Sequence, residues 1–265
     1  FVTGIFKKLA LADALALYVN KVYAMPEQYQ SPALIFATFA FAWQIYFDFS
    51  GYTDMARGLA QAMGFRIMLN FNNPYLATGI GDFWRRWHIS LSSWFRDYLY
   101  IPLGGNRKGK LATYRNLFIT MVVSGLWHGA AWTFVIWGAL HGIGMMLTRE
   151  LERSSFYKER FPKIAKQVLV FSFVTFAWIF FRADSWDAAC VIVSRIFTSG
   201  LSNPALPIFF LLLIGTVWFY QFVYESRVRW MLKPAPVRIA MVTLMVLYLV
   251  VFSGSAGQAF IYNQF

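Results

Sequence analysis

Long stretches without any charged side chain alternate along this chain with short, strongly basic segments. No Asp, Glu, Lys or Arg lies between Arg115 and Arg149, between Arg195 and Glu225, or after Arg238. Shorter uncharged stretches run over 28–47 and 168–181. A helix that crosses the hydrocarbon core of a bilayer needs roughly 20 mostly apolar residues. Most of these stretches are therefore long enough to cross a membrane.

This pattern predicts an all-α polytopic membrane protein. Spanning helices are expected at 31–63, 167–182, 206–223 and 238–254. Residues 116–148 are too long for one crossing, because a single helix of that length extends for about 50 Å against a hydrocarbon core of about 30 Å. Gly125 and Gly129 lie near the middle of this stretch. Two helical pieces are therefore expected, with a break around the sequence S-G-L-W-H-G.

Basic residues concentrate in the segments between the predicted spans. Segment 66–115 holds eight basic and two acidic residues, segment 149–166 six and three, and segment 225–238 four and one. Lys and Arg accumulate in cytoplasmic loops, so these segments are predicted to be cytoplasmic, with 183–205 and the C-terminus outside. The aromatic-rich segment 66–115 is expected to form short cytoplasmic-side helices and re-entrant loops. Residues 1–24 predict a helix at a membrane surface.

The composition supports the assignment as a membrane protein and limits the classes of partner that are expected. Charged residues make up 14% of the chain, against about 25% in soluble domains. The positive-inside rule accounts for the net charge of +12, and without a nucleic-acid motif no nucleic-acid partner is expected. The single Cys190 excludes an intrachain disulfide, and three histidines without a metal motif predict no metal site. A start at Phe1 without a signal peptide predicts the C-terminal part of a longer chain.

His128 is the strongest candidate for chemistry, because it lies inside the longest uncharged stretch. An ionisable residue at membrane depth is costly and usually functional, and imidazole suits general-base catalysis. The alternative is a neutral core histidine bonded to a carbonyl. His141 follows thirteen positions later, about 220° around a continuous helix, and is expected to serve in packing.

A second cluster surrounds His88 in the sequence D-F-W-R-R-W-H-I-S-L-S-S-W-F-R-D-Y. It holds Trp84, Arg85, Arg86 and Arg96. One interpretation is a belt of aromatic and arginine side chains at the membrane interface. The charge of the cluster, taken alone, favours this interpretation. The other is a cytoplasmic mouth that binds an anionic, nucleotide-bearing donor, since the planar guanidinium pairs well with phosphate.

Acidic residues occur inside the first predicted span. Asp54 and Arg57 are three positions apart and are expected to pair on one helix face. Asp48 lies among aromatic residues. It either orients a neighbouring Arg or His at the site or forms a structural ion pair, and these two interpretations stay open.

Four motifs in order carry a family resemblance: Y-F-D-F-S-G-Y-T-D-M-A-R-G, F-N-N-P-Y, D-F-W-R-R-W-H through L-G-G-N-R-K-G, and G-L-W-H-G-A-A-W-T-F-V-I-W-G-A-L-H-G. Together they resemble the membrane-bound O-acyltransferase family, in particular its bacterial branch of alginate O-acetylation proteins. The D-alanyl-transfer proteins of teichoic acid synthesis are more distant. The resemblance covers about residues 40–150 and continues weakly to the terminal F-I-Y-N-Q-F.

The resemblance implies a fold and a site. It implies one membrane-embedded domain over 1–265, with a ring of helices around a central funnel or tunnel. His128 matches the family's essential histidine, and His88 matches a second histidine near the cytoplasmic entrance of the tunnel, so both are predicted to be catalytic. The basic cluster is then expected to bind the donor, with Asp48 as a further candidate.

The resemblance also implies a reaction and its partners. The donor is expected to be acetyl-CoA, with no permanently bound cofactor, in a multi-pass protein of the bacterial inner membrane, among membrane lipids. Partners are expected to be a periplasmic esterase-like acetyltransferase and the polysaccharide export machinery.

The predicted function is acetyl transfer from cytoplasmic acetyl-CoA to an exported, alginate-like polysaccharide. His128 acts as a base or is briefly acetylated, and both remain open. Alternative hypotheses are a transporter or channel without acyl chemistry, a scaffold that only recruits a periplasmic partner, and an acyltransferase acting on peptidoglycan or teichoic acid. The acceptor, the oligomeric state and the total helix count are not fixed by the sequence.

Overall fold

The computed structural model describes residues 1–201 and 208–252, and every regular element in these two ranges is a helix. The prediction of an all-α protein is confirmed. The chain packs as two compact units. The first unit comprises 1–68 together with the described residues from 194 onwards, and the second comprises 69–193. That residues 1–265 form one domain stays a prediction.

The helices follow the predicted order of spans and breaks. In chain order they are α1 (Val2–Ile5), α2 (Asp13–Ala24), α3 (Ser31–Ala62), α4 (Ile80–Arg86), α5 (Ile89–Phe95), α6 (Gly109–His128), α7 (Trp132–Leu151), α8 (Lys163–Arg182), α9 (Trp186–Thr198), α10 (Ile208–Glu225) and α11 (Ala235–Phe252). Wider π-helical turns occupy Phe6–Ala12, Arg96–Tyr100 and Phe156–Arg160. The predicted span ends at 206 and 254, part of the 183–205 loop, and the terminal F-I-Y-N-Q-F lie outside the described residues.

Several helices have the length and composition that a bilayer requires. Within the described ranges, α3, α8 and α11 are long and apolar enough to cross a membrane. In α10, the segment Leu211–Glu225 is a shorter apolar helix. These helices correspond to the four predicted spans, and they support a membrane protein.

In the first unit, the N-terminal helical segment packs along α3 with its lysines turned inwards. The Nζ atom of Lys8 lies 2.8 Å from Asp13 and 2.6 Å from Asp48. Lys7 pairs with Asp54 at 2.7 Å. Burying a charge is costly unless it is paired, so each lysine is compensated by a carboxylate. The sequence had suggested a surface helix for residues 1–24, whereas these two lysines face α3.

In the second unit, α6 and α7 form a tightly packed helical hairpin. The helices are separated only by residues 129–131, which confirms the predicted break. A Cβ atom added at Gly125 would overlap the carbonyl oxygen of Phe134, and one added at Gly138 would overlap that of Met121. The glycines therefore allow the two backbones to approach closely. This contact fixes the end of α6, where His128 lies.

Candidate active site

His128 is the last residue of α6 and is surrounded by aromatic rings. Its ring centroid lies 5.2 Å from that of Trp137 on α7 and 5.0 Å from that of Phe181 on α8. Trp127 lies 4.9 Å away on the other side. The imidazole is partly exposed. Packing against rings of α7 and α8 holds the imidazole in place, while part of it stays accessible.

His88 occupies a strained turn between α4 and α5. Its φ is +44°, in the left-handed region that residues other than glycine rarely adopt. The Nδ1 atom accepts a hydrogen bond from the backbone N–H of Leu91 at 3.3 Å and so caps α5. Burial lowers the pKa of His88 to about 4. The side chain is therefore neutral at pH 7 and brings no positive charge to a donor phosphate.

The amide-rich turn at 70–74 holds the His88 turn in position. The Oδ1 atom of Asn70 accepts from the backbone N–H and the hydroxyl of Ser90, at 3.1 and 2.9 Å. The backbone N–H of Ile89 donates to the carbonyl of Asn70 at 3.0 Å. The sequence gave no sign of these contacts, because the partners lie about twenty residues further along the chain.

His141 is completely buried in α7 and makes a specific contact. Its Nδ1 atom accepts a hydrogen bond from the indole N–H of Trp84 at 3.3 Å. The ring of Trp137 lies 4.9 Å from His141 and also contacts His128. His141 therefore has the packing role expected of it, and it also fixes the orientation of Trp84.

A cavity of about 730 Å³ lies inside the second unit. One wall is the face of α6 that presents Leu117, Thr120, Met121 and Ser124. Residues spaced by three and four share a helix face, and the next position on this face is His128. A second wall is the face of α7 formed by Met145, Thr148 and Arg149, continued by Glu152 directly after the helix, and the preceding position on this face is His141. Both walls lead along their helices to a histidine.

The residues of the predicted basic cluster do not all lie at the cavity. Arg85 and Arg96 line the cavity, with side chains 76% and 60% exposed. Arg86 is 22% exposed and donates from Nε to Asp82 at 3.1 Å, and it is absent from the cavity wall. Trp84 also lines the cavity. Arg85, Arg96 and Trp84 are thus brought together.

Asp48 belongs to the first unit, whereas every residue that lines the cavity belongs to the second. Its carboxylate is 3% exposed and holds the ammonium group of Lys8. Of the two roles that the sequence left open, the structure shows the ion pair, with a lysine as its partner. The expected pairing of Asp54 with Arg57 is present at 4.0 Å, but Lys7 is the closer partner.

Sequence reasoning missed the wall residues Thr120, Ser124 and Arg149. The signal was available in part, because Ser124 lies four positions before His128 and Thr120 lies eight before it. Such spacing identifies a shared helix face. It does not reveal that this face borders a cavity, which depends on how α4, α5 and α7 pack.

His128 itself does not line the cavity, but it lies one helical turn beyond the wall residue Ser124. A histidine held among aromatic rings at this position, near a cavity bordered by arginines, suits acid–base or acyl-transfer chemistry in a helical membrane protein. The model of the membrane-bound O-acyltransferase family matches residues 1–186, and the chain belongs to this family. The match contains all three histidines and confirms the resemblance that the motifs carry.

The chain is similar to curated bacterial proteins of known name. It is 47% identical over 200 residues to the probable alginate O-acetylase AlgI of Pseudomonas putida, covering 76% of this chain and 41% of that protein. It is 42% identical over 190 residues to the peptidoglycan O-acetyltransferase of Helicobacter pylori, covering 71% and 36%. Against the teichoic acid D-alanyltransferase of Bacillus subtilis the identity is 34% over 155 residues, covering 54% and 39%. The chain spans about two fifths of the length of these relatives.

Proposed function

We propose that this chain carries the catalytic site of a membrane O-acetyltransferase that uses cytoplasmic acetyl-CoA to acetylate an exported, alginate-like polysaccharide. The observation that carries the proposal is the face of α6 that runs from the cavity wall at Leu117 and Ser124 to His128. Relatives named as an O-acetylase and an O-acetyltransferase support acetyl as the group that is transferred. The family's acyl chemistry then takes place beside the His128 imidazole.

The cavity suits a donor with an anionic end and an apolar chain. Arg85 offers an exposed guanidinium group, which can pair with phosphate oxygens in a planar, bidentate geometry. Arg96 offers a second one, which a donor phosphate would have to share with Asp97, bound at 2.7 and 3.1 Å. Leu117, Met121 and Met145 offer apolar wall further in. Coenzyme A has this character, with phosphates at one end and a thioester at the other. The donor therefore enters at the arginines and directs its thioester along α6.

Two routes for the acetyl group are compatible with His128. As a general base, the imidazole takes the proton of the acceptor hydroxyl. The oxygen then attacks the thioester carbonyl, the carbon–sulfur bond breaks, and coenzyme A leaves as the thiol after taking up a proton. As a nucleophile, an imidazole nitrogen attacks the thioester carbonyl, the carbon–sulfur bond breaks, and coenzyme A leaves as the thiol with the imidazole proton. The acetyl group then passes from the imidazole to the acceptor hydroxyl, whose proton returns to the ring. His88, neutral and bound to the backbone, orients the α4–α5 turn near this site.

The remaining parts of the proposal concern the whole protein. The spanning helices form a ring around a central funnel or tunnel in the bacterial inner membrane, with re-entrant helices on its cytoplasmic side. A periplasmic esterase-like acetyltransferase receives the acetyl group and works with the polysaccharide export machinery. Peptidoglycan is the second candidate acceptor, because the H. pylori relative is named a peptidoglycan O-acetyltransferase.

The test of this function follows the acetyl group directly. Purified protein in lipid nanodiscs is incubated with acetyl-CoA labelled in the acetyl group, with and without oligosaccharides of alginate or peptidoglycan. We expect release of coenzyme A that depends on the protein, and transfer of label to the oligosaccharide when the periplasmic partner is also supplied. A transporter without acyl chemistry would leave the thioester intact, and that result would overturn the proposal.

The Arg85→Gln variant tests the donor mouth. Removing a guanidinium that binds phosphate in both the ground state and the transition state is expected to raise KM for acetyl-CoA more than it lowers kcat. Added salt should have the same effect on the wild type, because exposed charges are screened over about 8 Å at physiological ionic strength. Steady-state kinetics at two salt concentrations provide the measurement.

Arg153→Gln is the matched control for Arg85→Gln. Arg153 is 52% exposed, pairs with Glu150 at 3.1 Å, and lies outside the cavity wall. We expect its KM to stay at the wild-type value. An unchanged KM in Arg85→Gln as well would leave the arginines as membrane anchors only.

The topology proposal has an independent test. Segments 66–115, 149–166 and 225–238 are proposed to face the cytoplasm because of their excess of basic residues. A cysteine introduced at position 160, in a chain whose Cys190 has been replaced, should react with impermeant maleimide only after the membrane is opened. Labelling from the outside of intact cells would contradict this orientation.

A further inference from the structure

The serine and threonine hydroxyl groups of α6 behave in two different ways. Thr113 donates to the carbonyl of Gly109 at 2.8 Å, and Thr120 donates to that of Asn116 at 2.7 Å. This bond to the residue four positions earlier is the usual arrangement for Ser and Thr inside a helix. Ser124 makes no hydrogen bond through its side chain to any residue that the structure describes, although it is only 4% exposed. Because Ser124 makes no bond to its own helix and lines the cavity, its hydroxyl is available to a molecule bound there.

The position of Ser124 indicates which ligand that is. The residue lines the cavity, and it is the cavity-wall residue nearest to His128 along α6. Four residues of α-helix correspond to a rise of about 6 Å, and the two side chains share a face. A group bound in the cavity and approached by His128 therefore passes beside the Ser124 hydroxyl.

We infer that Ser124 is a further catalytic residue, whose hydroxyl donates a hydrogen bond to the carbonyl oxygen of the acyl thioester. The inference rests on the proposed function. During attack, negative charge develops on this oxygen, and a donor already aimed at it stabilises the transition state more than the ground state. A serine hydroxyl is one of the side chains that serve in this way.

Ser124→Ala provides a clean test, because the serine makes no internal bond that could be lost. Alanine is also the better helix former, so the variant should be at least as stable as the wild type. We expect kcat to fall by about 10² to 10³, the usual effect of removing one donor to an oxyanion, with a smaller change in KM. Thr113→Val is the control: Thr113 is a buried hydroxyl on the same helix but is not part of the cavity wall, and its kcat should be unchanged.

A binding measurement that needs no turnover completes the test. The probes are the ketone analogue of acetyl-CoA, in which a methylene replaces the sulfur, and S-ethyl-CoA, which lacks the carbonyl. The wild type should bind the ketone several-fold more tightly, and Ser124→Ala should bind the two equally. Equal preference for the ketone in both proteins, together with normal turnover by Ser124→Ala, would overturn the inference while leaving the acetyltransferase function in place. Failure of the wild type to bind either probe would overturn both.

Discussion

Replacing His128 by alanine is expected to abolish acetyl transfer without unfolding the protein. The imidazole is partly exposed at the end of α6, and its neighbours Trp137 and Phe181 also pack against each other at 5.3 Å. The aromatic cluster therefore keeps much of its contact area in the variant. A general base contributes about 10² to 10⁴ in rate, and a nucleophile whose removal blocks the first step contributes at least as much.

The measurement compares turnover and donor binding on the same purified protein. We expect kcat to fall by that factor, while the affinity for the non-reactive ketone analogue changes little, because Arg85 and Arg96 still line the cavity. Added imidazole should restore part of the activity of His128→Ala if the residue acts as a base. A variant that acetylates at the wild-type rate would remove His128 from the mechanism.

The helix break and the central histidine could be predicted because both follow from local physics. A stretch of uncharged residues longer than the bilayer is thick must bend, and Gly125 and Gly129 are where a bend or close contact is possible. An imidazole inside that stretch is exceptional in a membrane. Both features depend on residues close together in the sequence, and the family motifs pointed to the same positions.

The features that could not be predicted depend on partners distant along the chain. Lys8 was expected on a surface, but its compensation by Asp13 and Asp48 requires the packing of the N-terminal segment on α3. The role of His88 as a helix cap depends on a single left-handed backbone conformation. Arg85 and Arg86 are adjacent and chemically identical, yet only the first lines the cavity, because Asp82 engages the second more closely.

The hairpin of α6 and α7 shows how the packing of two helices bears on the position of a catalytic group one turn away. Gly125 lies one turn before His128, and its contact with the Phe134 carbonyl sets the spacing of the two helices. The rings that surround His128 come from α7 and α8, including Trp137 and Phe181. A change in helix spacing therefore moves the imidazole relative to these rings and to the cavity.

Gly125→Ala is accordingly expected to impair activity more than its size suggests. The added Cβ would overlap the Phe134 carbonyl oxygen, which belongs to the backbone and can yield only if α7 moves. Overpacking of this kind costs about 1–3 kcal/mol, and a displacement of about 1 Å at a catalytic group can reduce the rate about 10²-fold. We expect a lower melting temperature and a kcat reduced by about that factor in the protein that remains folded.

The matched control is Gly215→Ala in α10, where an added Cβ meets no described atom within 4 Å. Alanine in place of a helical glycine is favourable by about 1 kcal/mol when space allows, so this variant should melt at the same or a higher temperature and retain full activity. Thermal unfolding in nanodiscs and acetyl transfer per folded molecule distinguish the two glycines. If Gly125→Ala matched Gly215→Ala in both measurements, the close approach of α6 and α7 would have no part in holding His128 in place.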